Sequence, residues 1–197
     1  MDKKSSLNIV QKGKPIDGGE NYFAIEVPLR RKAIWLGRLH DKLNDVNVKW
    51  QNGHYHITMS FICGDIDYCS PIVVMVQRKL EKFSVQHLTF DKLGAFTTRS
   101  GEHIIYLGCS RPEKSFMDLV AMIRGEVAQY DDLRQEDFRL HVTLGRIDGS
   151  SISLEELQKR IEEVELPRFT LQLSRVYHRF KGDKDDHKSW ELNDAKR

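Results

Sequence analysis

Apolar residues recur along this chain in two rhythms. Short runs and every-second-residue alternations predict strands at NYFAIEV (21–27), VNVKW (46–50), HYHITMSF (54–61), FSVQHLTF (83–90), EHIIYLGCS (102–110), DFRLHVTLGRI (137–147), RFTLQLSRVYHRF (168–180) and SWELN (189–193). Successive strand side chains point to opposite faces, so a half-buried strand alternates and a buried one is apolar throughout. Spacings of three and four predict helices. After Pro28, Leu29, Ala33, Leu36, Leu39 (or His40) and Leu43 keep helical register. Ser70-Pro71 supplies an N-cap and a proline at the first helical position of a helix to about Phe83. The clearest helix is 111–130, with Phe116, Leu119, Val120, Ile123 and Val127 on one face. Ser153 to Glu156 fits a capping box. QNG (51–53) and the charged stretch 181–188 read as turns, and residues 1–20, rich in Lys, Ser and Gly, as a flexible lead.

Strands and helices interleave, with several strands directly following one another. This order predicts an α+β fold with largely antiparallel sheet, as a single domain over 21–197. Each half carries strands, helices, and one strand containing His-x-Thr that is followed by a helix. Two such lobes, facing each other across a pseudo-twofold axis, would build one site from two copies of a motif.

Composition narrows the function. At 197 residues, 40% hydrophobic and 30% charged, the chain is ordinary globular protein. No apolar run approaches the ~20 residues of a membrane span. The first residues, MDKKSSLNIV, lack the apolar stretch of a secretory signal. The three cysteines, Cys63, Cys69 and Cys109, form neither an even disulfide framework nor a CxxC pair. Reduced thiols in a cytoplasmic monomer are expected, with Cys63 and Cys109 as core residues and a catalytic thiol as the less favoured use. A net charge of +2 is too small for a protein that coats long nucleic acid. It suits a small anionic substrate or a nucleic-acid end held in a locally basic cleft.

The chemistry lies in the repeat. His56 and Thr58 project from one strand face, and His141 and Thr143 recur 85 positions later. Two imidazoles can take a proton from a nucleophile and give one to a leaving group near neutral pH, because an unperturbed histidine titrates near ~6.5. Two threonine hydroxyls can hold the non-bridging oxygens of a phosphodiester as charge builds on them. Arg146, five residues after His141, would add a bidentate phosphate contact. The set needs no metal and no cofactor.

Competing readings remain for several residues. Eight His and six Thr predict only about a quarter of one His-x-Thr triplet by chance, yet a third copy, His87-Leu88-Thr89, is present. Its place outside the presumed repeat makes His87 structural. His54 and His56 alternate on one face and are two candidate ligands of a metal hydrolase, without an evident third. Arg139 is a candidate substrate contact or a salt-bridge partner. Arg175-Val176-Tyr177-His178-Arg179 is either a solvated strand face or the border of a nucleotide site, with Tyr177 as an aromatic platform.

With these residues in view, the chain resembles the 2H phosphoesterase superfamily, and within it the RNA 2′,3′-cyclic phosphodiesterases, also called 2′-5′ RNA ligases. NYFAIEVP resembles that family's opening strand, Trp50 and HITMSF its first motif, LGAF (93–96) its inter-motif strand, and FRLHVTLGRI its second motif. The likeness covers most of residues 21–193. It implies a bilobal fold of two pseudo-symmetric lobes, mainly antiparallel sheet with helices outside and the active cleft between. It implies hydrolysis of 2′,3′-cyclic phosphates at RNA ends or in nucleotides to 2′-phosphomonoesters, with reversible 2′-5′ ligation in some members. By similarity His56 would give the proton to the leaving oxygen, His141 would activate water, and Thr58, Thr143 and Arg146 would hold phosphate. The chain departs from the family at Phe61-Ile62-Cys63-Gly64, at Gly53-His54-Tyr55 and in the loop TTRSGEH (97–103). These departures bear on substrate rather than on the four His and Thr positions. A non-catalytic module binding nucleotides or RNA ends in the same cleft is the alternative.

Overall fold

A computed structural model of the chain describes residues 21–30, 33–62, 70–128, 138–179 and 187–193. Along them run β1 (Tyr22–Val27), α1 (Ile34–Lys42), β2 (Lys49–Trp50), β3 (Tyr55–Phe61), α2 (Pro71–Leu80), β4 (Gln86–Phe90), β5 (Lys92–Thr97) and β6 (Glu102–Gly108). Then follow α3 (Lys114–Val127), β7 (Val142–Asp148), α4 (Leu154–Glu162), β8 (Phe169–Leu173), β9 (Arg175–Arg179) and β10 (His187–Glu191). The strands form two four-stranded sheets, ordered β10-β9-β1-β3 and β2-β7-β6-β5, and a ribbon, β4-β8. All of these pairings are antiparallel. The interleaved pattern predicts this α+β architecture correctly.

Each sheet has its own helical cover. On the first, α3 packs against β3 and α2 against α3; on the second, α4 packs against β5 and α1 against α4. The predicted face of α3 (Phe116, Leu119, Val120, Ile123, Val127) is the buried one. Ser153 Oγ accepts the Glu156 N–H at 3.2 Å, capping α4 as the sequence predicts. The residues between His and Thr in the two motif strands, Ile57 and Val142, are fully buried. Each anchors its strand to the core, and truncating a buried aliphatic side chain to Ala costs about 2–5 kcal/mol. The sheets come together where β3 meets β7.

Both motif strands carry a register irregularity just after the threonine. Ala24 pairs with Thr58 and Phe23 with Ser60, so Met59 is an extra residue in β3. Tyr106 pairs with Thr143 and Ile105 with Gly145, so Leu144 is an extra residue in β7. A β-bulge sets two residues against one and shifts the alternation by one place. Met59 with Ser60, and Leu144 with Gly145, are accordingly all buried.

Several predicted elements need correction. The long strand 168–180 is two strands in different sheets, broken at Ser174, whose carbonyl accepts the Leu192 N–H in continuation of the β9–β10 register, while β8 pairs with β4. The strand expected over 137–147 starts only at Val142, and 138–141 are irregular. Helix α1 begins at Ile34, not after Pro28: the Leu29 N–H closes back on the Val27 carbonyl, and Ala33, the residue before the helix, is still extended. Of VNVKW only Lys49 and Trp50 pair, and the last strand starts at His187 rather than Ser189. Helix α2 stops at Leu80, short of Phe83, and Ser70 makes no side-chain cap bond there. The QNG turn does form, with Gly53 at φ 127°, a left-handed conformation suited to glycine. The 1–20 lead, Cys63, Cys69 and most of the 181–188 turn lie outside the described residues.

Candidate active site

His56 lies on β3 and His141 on the residue just before β7, and the two rings are held alike. The Nδ1–H of His56 donates to the carbonyl of His54 at 3.3 Å, and that of His141 to the carbonyl of Arg139 at 2.9 Å. A carbonyl oxygen only accepts, so both neutral rings carry their proton on Nδ1 and leave Nε2 as the lone-pair nitrogen. Both imidazoles are half-buried, and burial lowers the pKa of each. The backbone carbonyls raise them in part, while Arg179, His141 and Arg146 lower His56, and Arg139 and Arg146 lower His141. The charge of each ring thus acts on the pair: once one imidazole is protonated, a second proton is disfavoured. This is the ionisation an acid–base pair needs.

Aromatic rings wall both histidines. Tyr22 stacks on His56 with centroids 5.4 Å apart, and Tyr177 meets it edge-on at 6.0 Å. Phe96 and Tyr106 both meet His141 edge-on, at 5.3 and 6.4 Å. Tyr106 lies flat across β5, where a Cβ on Gly94 would come within 2.8 Å of its hydroxyl; glycine there makes room for the ring. Burial, with the neighbouring Tyr22 hydroxyl, raises the pKa of Tyr177, so it serves as a neutral hydroxyl. Thr58 and Thr143 are half-buried on the same strand faces as the histidines.

Arg146 reaches this centre because of the bulge. Five residues after His141, a regular strand would aim it at the opposite face; the extra Leu144 turns it back, and its charge acts on both imidazoles. It pairs with Glu102 at 3.6 Å. Arg139, predicted within the strand 137–147, lies in the irregular segment before β7, and its guanidinium sits 4.8 Å over the Phe96 ring. The basic run 175–179 is not a solvated face. Val176 and His178 are fully buried, His178 Nε2 bonding Asn21 Oδ1 at 2.7 Å, while Tyr177 turns to His56. Arg179 donates to the Tyr22 hydroxyl at 3.4 Å, and Arg175 pairs with Glu26 and Glu191.

The other candidates fall elsewhere. His87 is exposed on the separate β4-β8 ribbon, and its Thr89 is hydrogen-bonded to Thr170 at 2.8 Å. His54 is exposed beside Glu26, 3.9 Å away. Among the described residues, no three His, Cys, Asp or Glu side chains are grouped to hold a metal. Cys109 is half-buried and its thiol pKa is raised by burial, which opposes thiolate chemistry. No helix among the described residues is long and apolar enough to cross a membrane. Local pattern does not single out Tyr22, Phe96 or Tyr106 as site residues. Only cross-strand register brings them there, with Tyr22 opposite both Phe61 and Arg179, and Tyr106 opposite Thr143.

Two antiparallel sheets, each offering a His-x-Thr strand where they meet, define a protein of the two-histidine phosphoesterase fold. The chain belongs to the 2′-5′ RNA ligase superfamily, whose sequence profile matches residues 35–181. Among solved structures, E. coli LigT complexed with 3′-AMP aligns with a TM-score of 0.56 at 18% identity, over 88% of this chain and 98% of that one. Kluyveromyces marxianus Usb1 with uridine monophosphate aligns with a TM-score of 0.63 at 8% identity, over 87% and 97%. E. coli LigT complexed with NADP+ aligns with a TM-score of 0.52 at 18% identity, over 88% and 98%. Identities this low establish likeness of fold. Among curated proteins, no sequence matches significantly.

Proposed function

We propose that this protein is a metal-independent phosphodiesterase that opens 2′,3′-cyclic phosphates, at RNA ends or in nucleotides, to 2′-phosphomonoesters. Water attacks phosphorus in line with the bond to O3′. His141 Nε2 takes the water proton, the P–O3′ bond breaks, and the Nε2–H of protonated His56 supplies the proton to O3′. Thr58 and Thr143 hydroxyls donate to the non-bridging oxygens, and Arg146 neutralises charge gathering there. A 5′-hydroxyl in place of water would give 2′-5′ ligation by the same steps.

The observation that carries this reading is the matched pair of imidazoles, each with Nδ1 tied to a carbonyl two residues back and Nε2 left for chemistry. A binding module would have no use for two proton carriers held in one tautomer. The test is incubation with 2′,3′-cyclic nucleotides, 2′-5′ dimers and ADP-ribose cyclic phosphate in EDTA, with the phosphate position in any product determined by NMR. A 2′-phosphomonoester formed despite chelation is expected. Full activity in a protein carrying both His56→Ala and His141→Ala would sink the mechanism.

A further inference from the structure

Arg139 and Arg146 flank His141 along the chain, two residues before it and five after. The backbone carbonyl of Arg139 accepts from His141 Nδ1, which ties this residue's position to the reacting centre. Its guanidinium covers one face of Phe96, itself against His141. Stacking occupies a guanidinium's flat face and leaves its in-plane N–H groups pointing outward, the geometry that receives phosphate.

The guanidiniums of β7, of β9 and of the segment before β7 are committed to different degrees. Arg146 pairs with Glu102, Arg175 with Glu26 and Glu191, and Arg179 donates to the Tyr22 hydroxyl. Arg139 has the Phe96 ring, and takes no ion pair or hydrogen bond through its guanidinium among the described residues. A cyclic phosphodiester carries a single negative charge, and Thr58, Thr143 and Arg146 already meet it. Arg139, over the Phe96 ring that lies against His141, is a further cation and matches a further anion.

We propose that Arg139, on its Phe96 platform, is a specificity-determining residue that receives a second phosphate, borne on O5′ of the nucleotide whose cyclic phosphate reacts. The proposal rests on the function given above. Its chemistry follows from the ribose: O2′ and O3′ are both in the reacting ring, which leaves O5′ as the sugar oxygen open to another phosphate. An RNA chain offers an internucleotide phosphate there, and a mononucleotide offers a 5′-phosphate.

Three substrates separate these cases: adenosine 2′,3′-cyclic phosphate, its 5′-phosphorylated form, and a dinucleotide ending in the same cyclic group. The protein should favour both O5′-phosphorylated substrates over the plain nucleoside by about tenfold in kcat/KM, chiefly through KM, as one charge-assisted contact provides. Arg139→Ala should bring that ratio near one, and Arg139→Lys should keep part of it. A disturbed His141 would slow all three substrates alike and leave the ratio in place. A ratio that survives Arg139→Ala overturns the assignment, as does a preference for the dinucleotide that the 5′-phosphorylated mononucleotide does not share. Calorimetry with adenosine 2′-phosphate and adenosine 2′,5′-bisphosphate supplies a readout independent of turnover. Tighter binding of the bisphosphate, lost in Arg139→Ala, would uphold the subsite even if no substrate were hydrolysed, whereas turnover without that difference would uphold the reaction and remove the subsite.

Discussion

The two motif strands share their scaffold and differ in what they present. In β3 and at the entry to β7 a histidine donates to the carbonyl two residues behind it, a fully buried aliphatic residue follows, then a half-buried threonine, then a bulge. After the bulge the copies part. The position five residues beyond the histidine is Phe61 in β3 and Arg146 in β7. Phe61 packs its ring against Tyr22 at 5.9 Å, while Arg146 pairs with Glu102 and its charge lowers the pKa of both imidazoles. The rings differ as well: His56 is stacked on a tyrosine, whereas His141 sits against two aromatic rings at near-right angles. What repeats is the device that fixes a ring's tautomer and aim; what diverges is the charge around it. Two matched histidines can then take unequal roles.

The largest test of that inequality is the leaving group. His56→Ala and His141→Ala should each lower kcat on a 2′,3′-cyclic nucleotide by about 10²–10⁴, the usual worth of a general acid or base. A pair acting as a unit predicts a double variant little worse than either single one. A p-nitrophenyl phosphodiester, whose leaving phenolate needs no proton, divides the roles. On it His56→Ala should recover most of its loss, and His141→Ala none. Equal losses for both variants on both substrates would mean that the strands are equivalent after all.

A smaller effect is expected at the diverging position. Arg146→Ala should cost about 10- to 100-fold in kcat/KM, as loss of a charge-assisted phosphate contact does. Phe61→Leu, at the matching place in β3, should change the rate several-fold at most. Steady-state kinetics of the two variants decide whether phosphate is held asymmetrically.

These comparisons also mark how much was legible in the sequence. The doubled His-x-Thr, the α+β class and the buried face of α3 are written in local pattern, because period and spacing survive without knowledge of partners. The bulges are not. Met59 and Leu144 look like any apolar residue in an alternating strand, and only the pairing of β3 with β1 and of β7 with β6 shows each to be extra. Strict alternation would have aimed Arg146 at the core. Ser174 is likewise unremarkable in RFTLQLSRVYHRF, yet the chain changes sheets there. His87-Leu88-Thr89 shows the reverse, since its local pattern equals that of the two copies on β3 and at β7 and only its ribbon sets it apart.

Acidity should sharpen the picture further. Burial, then neighbouring guanidiniums, hold both imidazoles below the ordinary histidine range against the pull of their backbone carbonyls. With one ring protonated and the other neutral in the active form, kcat/KM should be bell-shaped with its maximum on the acid side of ~6.5, falling up to about tenfold per pH unit above it. Stability carries the same sign. The folded protein resists protonating these rings, so their contribution is full above the unfolded value near ~6.5 and is lost as pH falls through the lowered folded values. Unfolding at pH 7.5 and 5.5 should show that loss, and His141→Ala should reduce it. A rate maximum well above pH 7 would mean that neither ring is the titrating group.

The least of the expected effects concerns what covers each bulge. Ser60 in β3 and Gly145 in β7 occupy the same place, and both are buried. They differ because β7 has an outer neighbour, β2, whereas β3 ends its sheet. Trp50 of β2 lies directly over Gly145, and a Cβ added there would meet Val48 Cγ1 at 2.7 Å and Trp50 Cε3 at 3.1 Å. Valine is stiff at χ1 and its methyl cannot swing away cheaply, so Gly145→Ala should destabilise by about 1–3 kcal/mol through overpacking. Ser60→Ala removes a methyl-sized hydroxyl whose bond to the Phe61 carbonyl is long, at 3.4 Å, and should cost about 1 kcal/mol or less. Denaturant midpoints of the two variants measure the difference directly. Equal costs would mean that β2 does not press on the bulge, and that glycine at 145 answers some need other than the approach of Val48 and Trp50.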